Sequence, residues 1–172
     1  MIDFLDKRFL LRLTLKPRTI LLKEGEMAGQ MYFIQSGCIR SWLNNEGREI
    51  TLQFFFEEEP VTALDSFLNQ TLSPVYIETV EACDVYVIKR EDFIGSLDNE
   101  RFRNWFYENA VKKLLVHHNR LISLLKNKPA ERYTQLQADH PNIIQRIPQH
   151  YIASYLGITS VSLSRIRNRL KG

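Results

Sequence analysis

Short apolar runs separated by turn-forming residues fill the chain over residues 19–89: TILL, MYFIQ, CIRSWL, EITLQFFF, VYIETV and CDVYVIK. Runs of this length, bounded by Gly, Pro, Asn and acidic clusters, predict β-strands. The breaks fall at residues 24–29, 36–37, 44–47, 57–60, 69–74 and 81–82, and Asn44-Asn45-Glu46-Gly47 between two runs reads as a hairpin loop. Ile50, Leu52 and Phe54 alternate with Thr51 and Gln53, which buries one face of that strand. Phe54-Phe55-Phe56 followed by Glu57-Glu58-Glu59 reads as a core strand running into a solvated turn. Together these elements predict an antiparallel sandwich or barrel.

Over residues 91–126 the period becomes helical. Tyr107, Val111, Leu114, His118, Leu121 and Leu125 alternate spacings of four and three, with Leu115 and Ile122 beside them. Phe102, Trp105 and Phe106 at the start of this helix suit packing on the barrel. The later positions Val111, Leu114, His118, Leu121 and Leu125 form a seam longer than a small barrel can cover, so the expectation is pairing with a second copy of the chain. His117 and His118, being adjacent, point apart and do not make a ligand pair. Asn127-Lys128-Pro129 ends the helix and reads as a hinge, followed by a short helix over residues 130–139 that stops before Pro141. Ile143, Ile144 and Ile147 are expected to pack beneath the last segment.

That segment, QHYIASYLGITSVSLSRIRNRL, predicts two short helices joined by a tight turn. Pro148 suits a helix start at Gln149, and Gly157 directly after Leu156 supplies the positive φ of a helix end. Thr159 or Ser160 can cap a second helix reaching Leu170. Ile152, Leu156, Ile158, Leu163 and Ile166 fall where two crossed helices share one core, with Ala153 allowing close approach. This is a helix-turn-helix pattern.

Composition narrows the function. The chain has 172 residues, of which 44% are apolar, enough for real cores in one or two small domains. No run approaches the length of a membrane span, and Asp3, Asp6 and Lys7 interrupt any export-signal core, so a cytoplasmic location is expected. Cys38 and Cys83 are too few and too distant for a disulfide framework or a metal knuckle and are expected as free thiols. The net charge of +3 hides an asymmetry: residues 1–125 carry −3 and residues 126–172 carry +6. Basic charge coinciding with the turn motif points to nucleic acid, held partly by counterion release. All four histidines, His117, His118, His140 and His150, lie outside the barrel segment. That argues against a metal site and against a metal-dependent enzyme on a barrel of this kind. No cofactor is expected.

The segments LKEGEMAGQMYFIQSGCIRSWL (residues 22–43), EITLQFFF (49–56) and IPQHYIASYLGITSVSLSRIRNRL (147–170) together resemble the Crp/Fnr family of regulators, in the family's order and over nearly the whole chain. The resemblance implies an α+β chain with three parts. Residues 1–92 would form an antiparallel β jelly-roll barrel, a sensor domain of cyclic-nucleotide-binding type. Residues 93–128 would form a long dimerisation helix and hinge, and residues 129–172 a C-terminal helix-turn-helix DNA-binding domain. The wing that relatives often add beyond the second helix is expected to be absent.

In cyclic-nucleotide members of the family a glutamate holds the ribose and an arginine holds the cyclic phosphate. The corresponding positions here are Ala63 and Ser73, and serine cannot replace the arginine fork. Usual cyclic AMP binding is therefore not expected. An unknown small-molecule effector would instead meet Ala63, Leu64, Asp65, Ser66, Ser73 and Val75. An iron–sulfur sensor, used elsewhere in the family, needs about four cysteines.

In a helix-turn-helix the second helix enters the major groove, which places Ser160, Val161, Ser162, Ser164 and Arg165 at base edges. Arg165 suits guanine and Val161 a thymine methyl. Val161 stands where a relative has glutamate, so that relative's operator preference does not transfer. Gln149, His150, Thr159, Arg167 and Arg169 would lie on phosphates. The expected partners are double-stranded DNA with a near-palindromic operator, a second copy of the chain, and RNA polymerase. Two other classes remain open on the residues: a small-molecule or protein-interaction module with a non-productive terminal domain, and an enzyme on a jelly-roll barrel.

Overall fold

A computed structural model describes residues 7–171; the segment holding Asp3 and Asp6, on which the reading of no export signal rests, lies outside the described residues, as does Gly172. Contacts divide the chain into two units. One comprises the residues up to Asn44 with Leu52–Asn109, and the other Asn45–Thr51 with the chain from Ala110 onward.

The first unit is built on two four-stranded antiparallel sheets. After a short 3₁₀ turn at Lys7–Phe9 come β1 (Leu11–Leu15), β2 (Ile20–Leu22), β3 (Gln30–Ser36), β4 (Ile39–Asn45), β5 (Arg48–Phe55) and β6 (Pro60–Val61). Helix α1 (Leu64–Asn69) precedes β7 (Tyr76–Thr79) and β8 (Cys83–Lys89). One sheet has the order β1-β8-β3-β6 and the other β2-β7-β4-β5. Register places Leu13 opposite Val85, Met31 opposite Ile88 and Ser41 opposite Ile77. Phe33, Ile34, Ile39, Val61, Phe67, Ile77, Val85 and Ile88 form one buried cluster, so the interior of the jelly roll is filled by side chains.

Each expected run forms a strand, and three elements lie beyond the expectation. Strand β1 has the alternation Leu11, Leu13, Leu15, yet it is an edge strand with Leu11 60% exposed, so burial marks it weakly. Strand β6 has only two residues. Residues 64–69, for which no element was expected, form α1, with Arg90 donating from Nε to Phe67 O (2.6 Å) and from Nη2 to Leu68 O (3.0 Å) near its end. At Gly37 the geometry leaves room for glycine alone. With φ +102°, a Cβ there would lie 2.5 Å from Ala82 O and 2.6 Å from Cys83 Sγ.

Acidic residues after β5 have local work. Glu57 accepts the Gly37 amide and Glu59 the Phe56 amide, both at 2.9 Å. Cys38 and Cys83 are buried and are not joined in a disulfide.

The helical period expected over residues 91–126 is two helices, α2 (Arg90–Ser96) and α3 (Glu100–Lys126). Asn99 separates them because its Oδ1 accepts the Arg101 and Phe102 amides and starts α3. Phe93 of α2 meets Phe67, Phe102 and Phe106 edge-on at 5.0–5.3 Å, and Phe33 lies 6.0 Å from Trp105. The aromatic start of α3 is thus fixed to the barrel, as its sequence suggests.

In the second unit α3 is followed by α4 (Pro129–Asp139), α5 (Pro141–Arg146), α6 (Gln149–Tyr155) and α7 (Ser160–Lys171). Pro129 opens α4, with Glu131 returning to the Lys128 amide at 2.8 Å. Tyr133, Leu136, Ile143, Ile147, Ile152, Ala153, Leu156 and Leu163, drawn from α4 to α7 and their connections, are buried; Ile144 is half-buried. Among the described residues no helix is long and apolar enough to cross a membrane.

Candidate nucleic-acid interface and ligand clefts

The turn between α6 and α7 follows from its sequence. Gly157 adopts φ +69°, its amide reaching Ser154 O and the Ile158 amide reaching Ala153 O, both at 3.0 Å. These two bonds close a Schellman end on α6 and reverse the chain within two residues. Thr159 then caps α7, its Oγ1 accepting the Ser162 amide at 3.2 Å. Leu163 is 1% exposed and turns one face of α7 inward.

The opposite face carries Ser160, Val161, Ser164 and Arg165, all exposed. Ser162, expected among them, is half-buried and its hydroxyl lies 3.0 Å from Thr159 Oγ1. Asn168 is also exposed and continues the row Val161, Ser164, Arg165 at helical spacing. Sequence reasoning passed over it, although its place three residues after Arg165 was the available signal. Of the residues expected on phosphates, His150, Thr159 and Arg169 are exposed, while Gln149 and Arg167 are half-buried.

On α3 the seam positions Val111, Leu114, His118, Leu121 and Leu125 are all exposed, Leu114 by 67% and Leu125 by 81%. Burial lowers the pKa of the neighbouring His117 from its usual value, with Arg120 and Lys113 adding to the effect.

The residues named for an effector lie around α1. Ser66 is buried, accepting the Ala28 amide (2.9 Å) and donating to Thr71 O (2.6 Å). Ser73 is also buried and donates to Val75 O at 2.8 Å. Asp65 is exposed and accepts from Asn69 Nδ2 and Thr71 Oγ1; Leu64 is exposed, and Ala63 and Val75 are half-buried. A cleft of about 400 Å³ in the same unit is lined instead by residues including Glu26, Gln30, Tyr32, Lys89 and Arg90. Among the described residues no group of three or more His, Cys, Asp and Glu is placed to hold a metal ion.

Residues 12–100, about half of the chain, match the family model of the cyclic nucleotide-binding domain. The chain belongs to the cyclic nucleotide-binding domain family. Beyond that domain, its fold extends over whole regulators. It is similar to CLP from Xanthomonas campestris, described as a c-di-GMP-responsive global regulator (21% identity, TM-score 0.75, covering 95% of this chain and 87% of that one). It is similar to FixK2 from Bradyrhizobium japonicum (17% identity, TM-score 0.78, 94% and 84% covered). It is also similar to a protein from Eubacterium rectale assigned to the Crp/Fnr transcriptional regulators (20% identity, TM-score 0.77, 96% and 80% covered). The chain therefore joins a cyclic nucleotide-binding domain to the helical remainder of a Crp/Fnr-type fold. No curated protein is close enough in sequence to count as a match.

Proposed function

We propose that this member of the cyclic nucleotide-binding domain family is a homodimeric, DNA-binding transcription regulator of the Crp/Fnr type. Residues 1–92 act as sensor, 93–128 as dimerisation helix and hinge, and 129–172 as DNA-binding domain. The observation that carries the reading is the exposed row Val161, Ser164, Arg165 and Asn168 on α7, directly after a capped helix-turn-helix turn. The row suits insertion into a major groove, with Arg165 on a guanine and Ser160 at the helix start beside it. Arg169, Thr159 and His150 suit the flanking phosphates, with Gln149 and Arg167 in support.

Two copies would pair along Val111, Leu114, His118, Leu121 and Leu125, an exposed a/d-type row. A two-fold dimer then takes a near-palindromic operator with half-sites about one helical turn apart. The protein acts in the cytoplasm, with RNA polymerase as the partner of the bound dimer. The sensor does not take a cyclic nucleotide in the usual way, because Ser73 and Ala63 stand at the phosphate and ribose positions and the Ser73 hydroxyl is committed to Val75 O.

The test is selection from a randomised DNA pool at two salt concentrations, with Arg165→Ala in parallel. Recovery of a palindrome that weakens with salt supports the proposal. Enrichment of no sequence under any condition, including added cellular metabolites, rejects it.

A further inference from the structure

Within the second unit, α3, α4 and the end of α6 enclose a cleft of about 210 Å³. This is smaller than the roughly 300–1,000 Å³ of pockets for drug-sized ligands. Its wall holds two guanidiniums, Arg120 and Arg132, with His140 and Asn119, against a single carboxylate, Asp139.

Both arginines are anchored by backbone carbonyls. Arg132 donates from Nη1 to Asn127 O (2.7 Å) and from Nη2 to Leu156 O (2.8 Å). Arg120 donates from Nη2 to Tyr155 O (2.8 Å) and lies 4.2 Å from the Tyr155 ring. The Arg132 Nε is itself buried and has no hydrogen-bond partner. Burial also lowers the pKa of Arg120 from its ordinary value, so its charge is poorly solvated where it stands. A pre-positioned pair of guanidiniums, with more N–H groups on Arg132 than its two carbonyl bonds use, matches an oxyanion with several acceptor oxygens.

We propose that this cleft binds a small phosphate-type oxyanion, inorganic phosphate or a compact phosphate monoester, held by Arg132 and Arg120 with Asn119 and His140 completing the shell. The site stands whether or not the chain binds DNA.

The experiment is calorimetric titration of the full chain with inorganic phosphate in chloride buffer, with succinate as a carboxylate probe. One saturable phosphate site per chain is expected, weakened about tenfold or more by Arg132→Met, the loss of a hydrogen bond to a charged group. Asn119→Trp, which fills the cleft from an exposed position and keeps both arginines, should abolish binding and decides the matter if Arg132→Met does not fold. No saturable binding up to about 10 mM phosphate, a range in which bound ligand would also raise the Tm, overturns the proposal. So does phosphate binding unchanged in Asn119→Trp. Succinate binding as tightly as phosphate would overturn the phosphate assignment.

Discussion

The Ser154 hydroxyl lies 2.8 Å from the Thr51 amide, which donates to it, and 2.8 Å from the Glu49 carbonyl, to which it donates. Strand β5 is an edge strand, so the outward groups of Glu49 and Thr51 have no neighbouring strand to meet. A hydroxyl both donates and accepts, and one serine on α6 therefore satisfies two backbone groups of the hairpin tip. Arg120 of α3 takes the Thr51 carbonyl at 3.2 Å as well as Tyr155 O, so three elements of the second unit meet around one residue of the hairpin.

Ser154→Ala removes both bonds at once. It should lower the stability of this unit by about 2 kcal/mol, roughly 1 kcal/mol for each bond, and speed hydrogen exchange at the Thr51 amide. Unchanged protection of that amide would show that the contact does not persist in solution.

Two glycines separate strain from space. Gly157→Ala keeps open room, its nearest neighbour being Leu124 Cδ2 at 3.6 Å, and suffers only the left-handed φ of +69°. Its cost should be about 1 kcal/mol. Gly37→Ala adds a collision with Ala82 O and Cys83 Sγ to a φ of +102°. It should cost several times more, on the order of 3 kcal/mol or beyond, or prevent folding. Urea unfolding of the two variants checks the ranking, and equal losses would contradict it.

These positions also mark how far the sequence could be read. Gly157, Thr159 and Leu163 announce their roles through spacing, because a helix end, a cap and a buried face each demand a particular residue type. Six of the eight strands were legible as short apolar runs between turn residues, while the edge strand β1 and the two-residue β6 were not. Helix α1 was not, because its six residues contain too little periodicity and its end is fixed by Arg90, which lies 20 or more residues away. The break at Asn99 was hidden because helical periodicity continues on either side of it. Ser66 and Ser73 look like ligand-facing hydroxyls on a polar loop, yet the fold turns both toward backbone carbonyls, which spacing cannot reveal. The cleft beside Arg132 brings together residues from three helices and has no local signature.

The α3 seam yields a test of assembly. Leu121 is 56% exposed within the chain, so Leu121→Asp should leave folding of the single chain nearly intact while placing a charge in the centre of the row. Sedimentation should show a dimer for the wild type and a monomer for the variant. A monomeric wild type at micromolar concentration would remove the seam from the proposal.

Alkaline titration addresses the α3–α6 contact. Burial raises the Tyr155 pKa above the usual 10, while the Arg120 charge opposes that rise; burial also raises Tyr32. The folded chain then holds these protons more tightly than the unfolded chain. Stability contributed by the two phenols is present below pH 10 and is lost as pH rises past that unfolded value. Absorbance of tyrosinate should show late-titrating phenols, one of which disappears in Tyr155→Phe; loss of a phenol from the normally titrating group instead would place Tyr155 in solvent.

Arg165 and Arg169 share a charge and a helix but have different proposed duties. Arg165 lies in the row with Val161 and Ser164, where a guanidinium can bond guanine O6 and N7 together, while Arg169 lies a turn further on and suits a phosphate. Arg165→Ala should cost about 1–3 kcal/mol on the selected operator and relax preference at one base pair of each half-site. Arg169→Ala should weaken binding to all sequences alike and reduce the slope of log K against log salt by about one per chain. Titrating both variants against the operator and a scrambled duplex at several salt concentrations separates the duties. If both lose the same affinity on both duplexes, neither arginine reads a base, and specificity must come from Ser160, Val161, Ser164 and Asn168 or from the shape of the DNA.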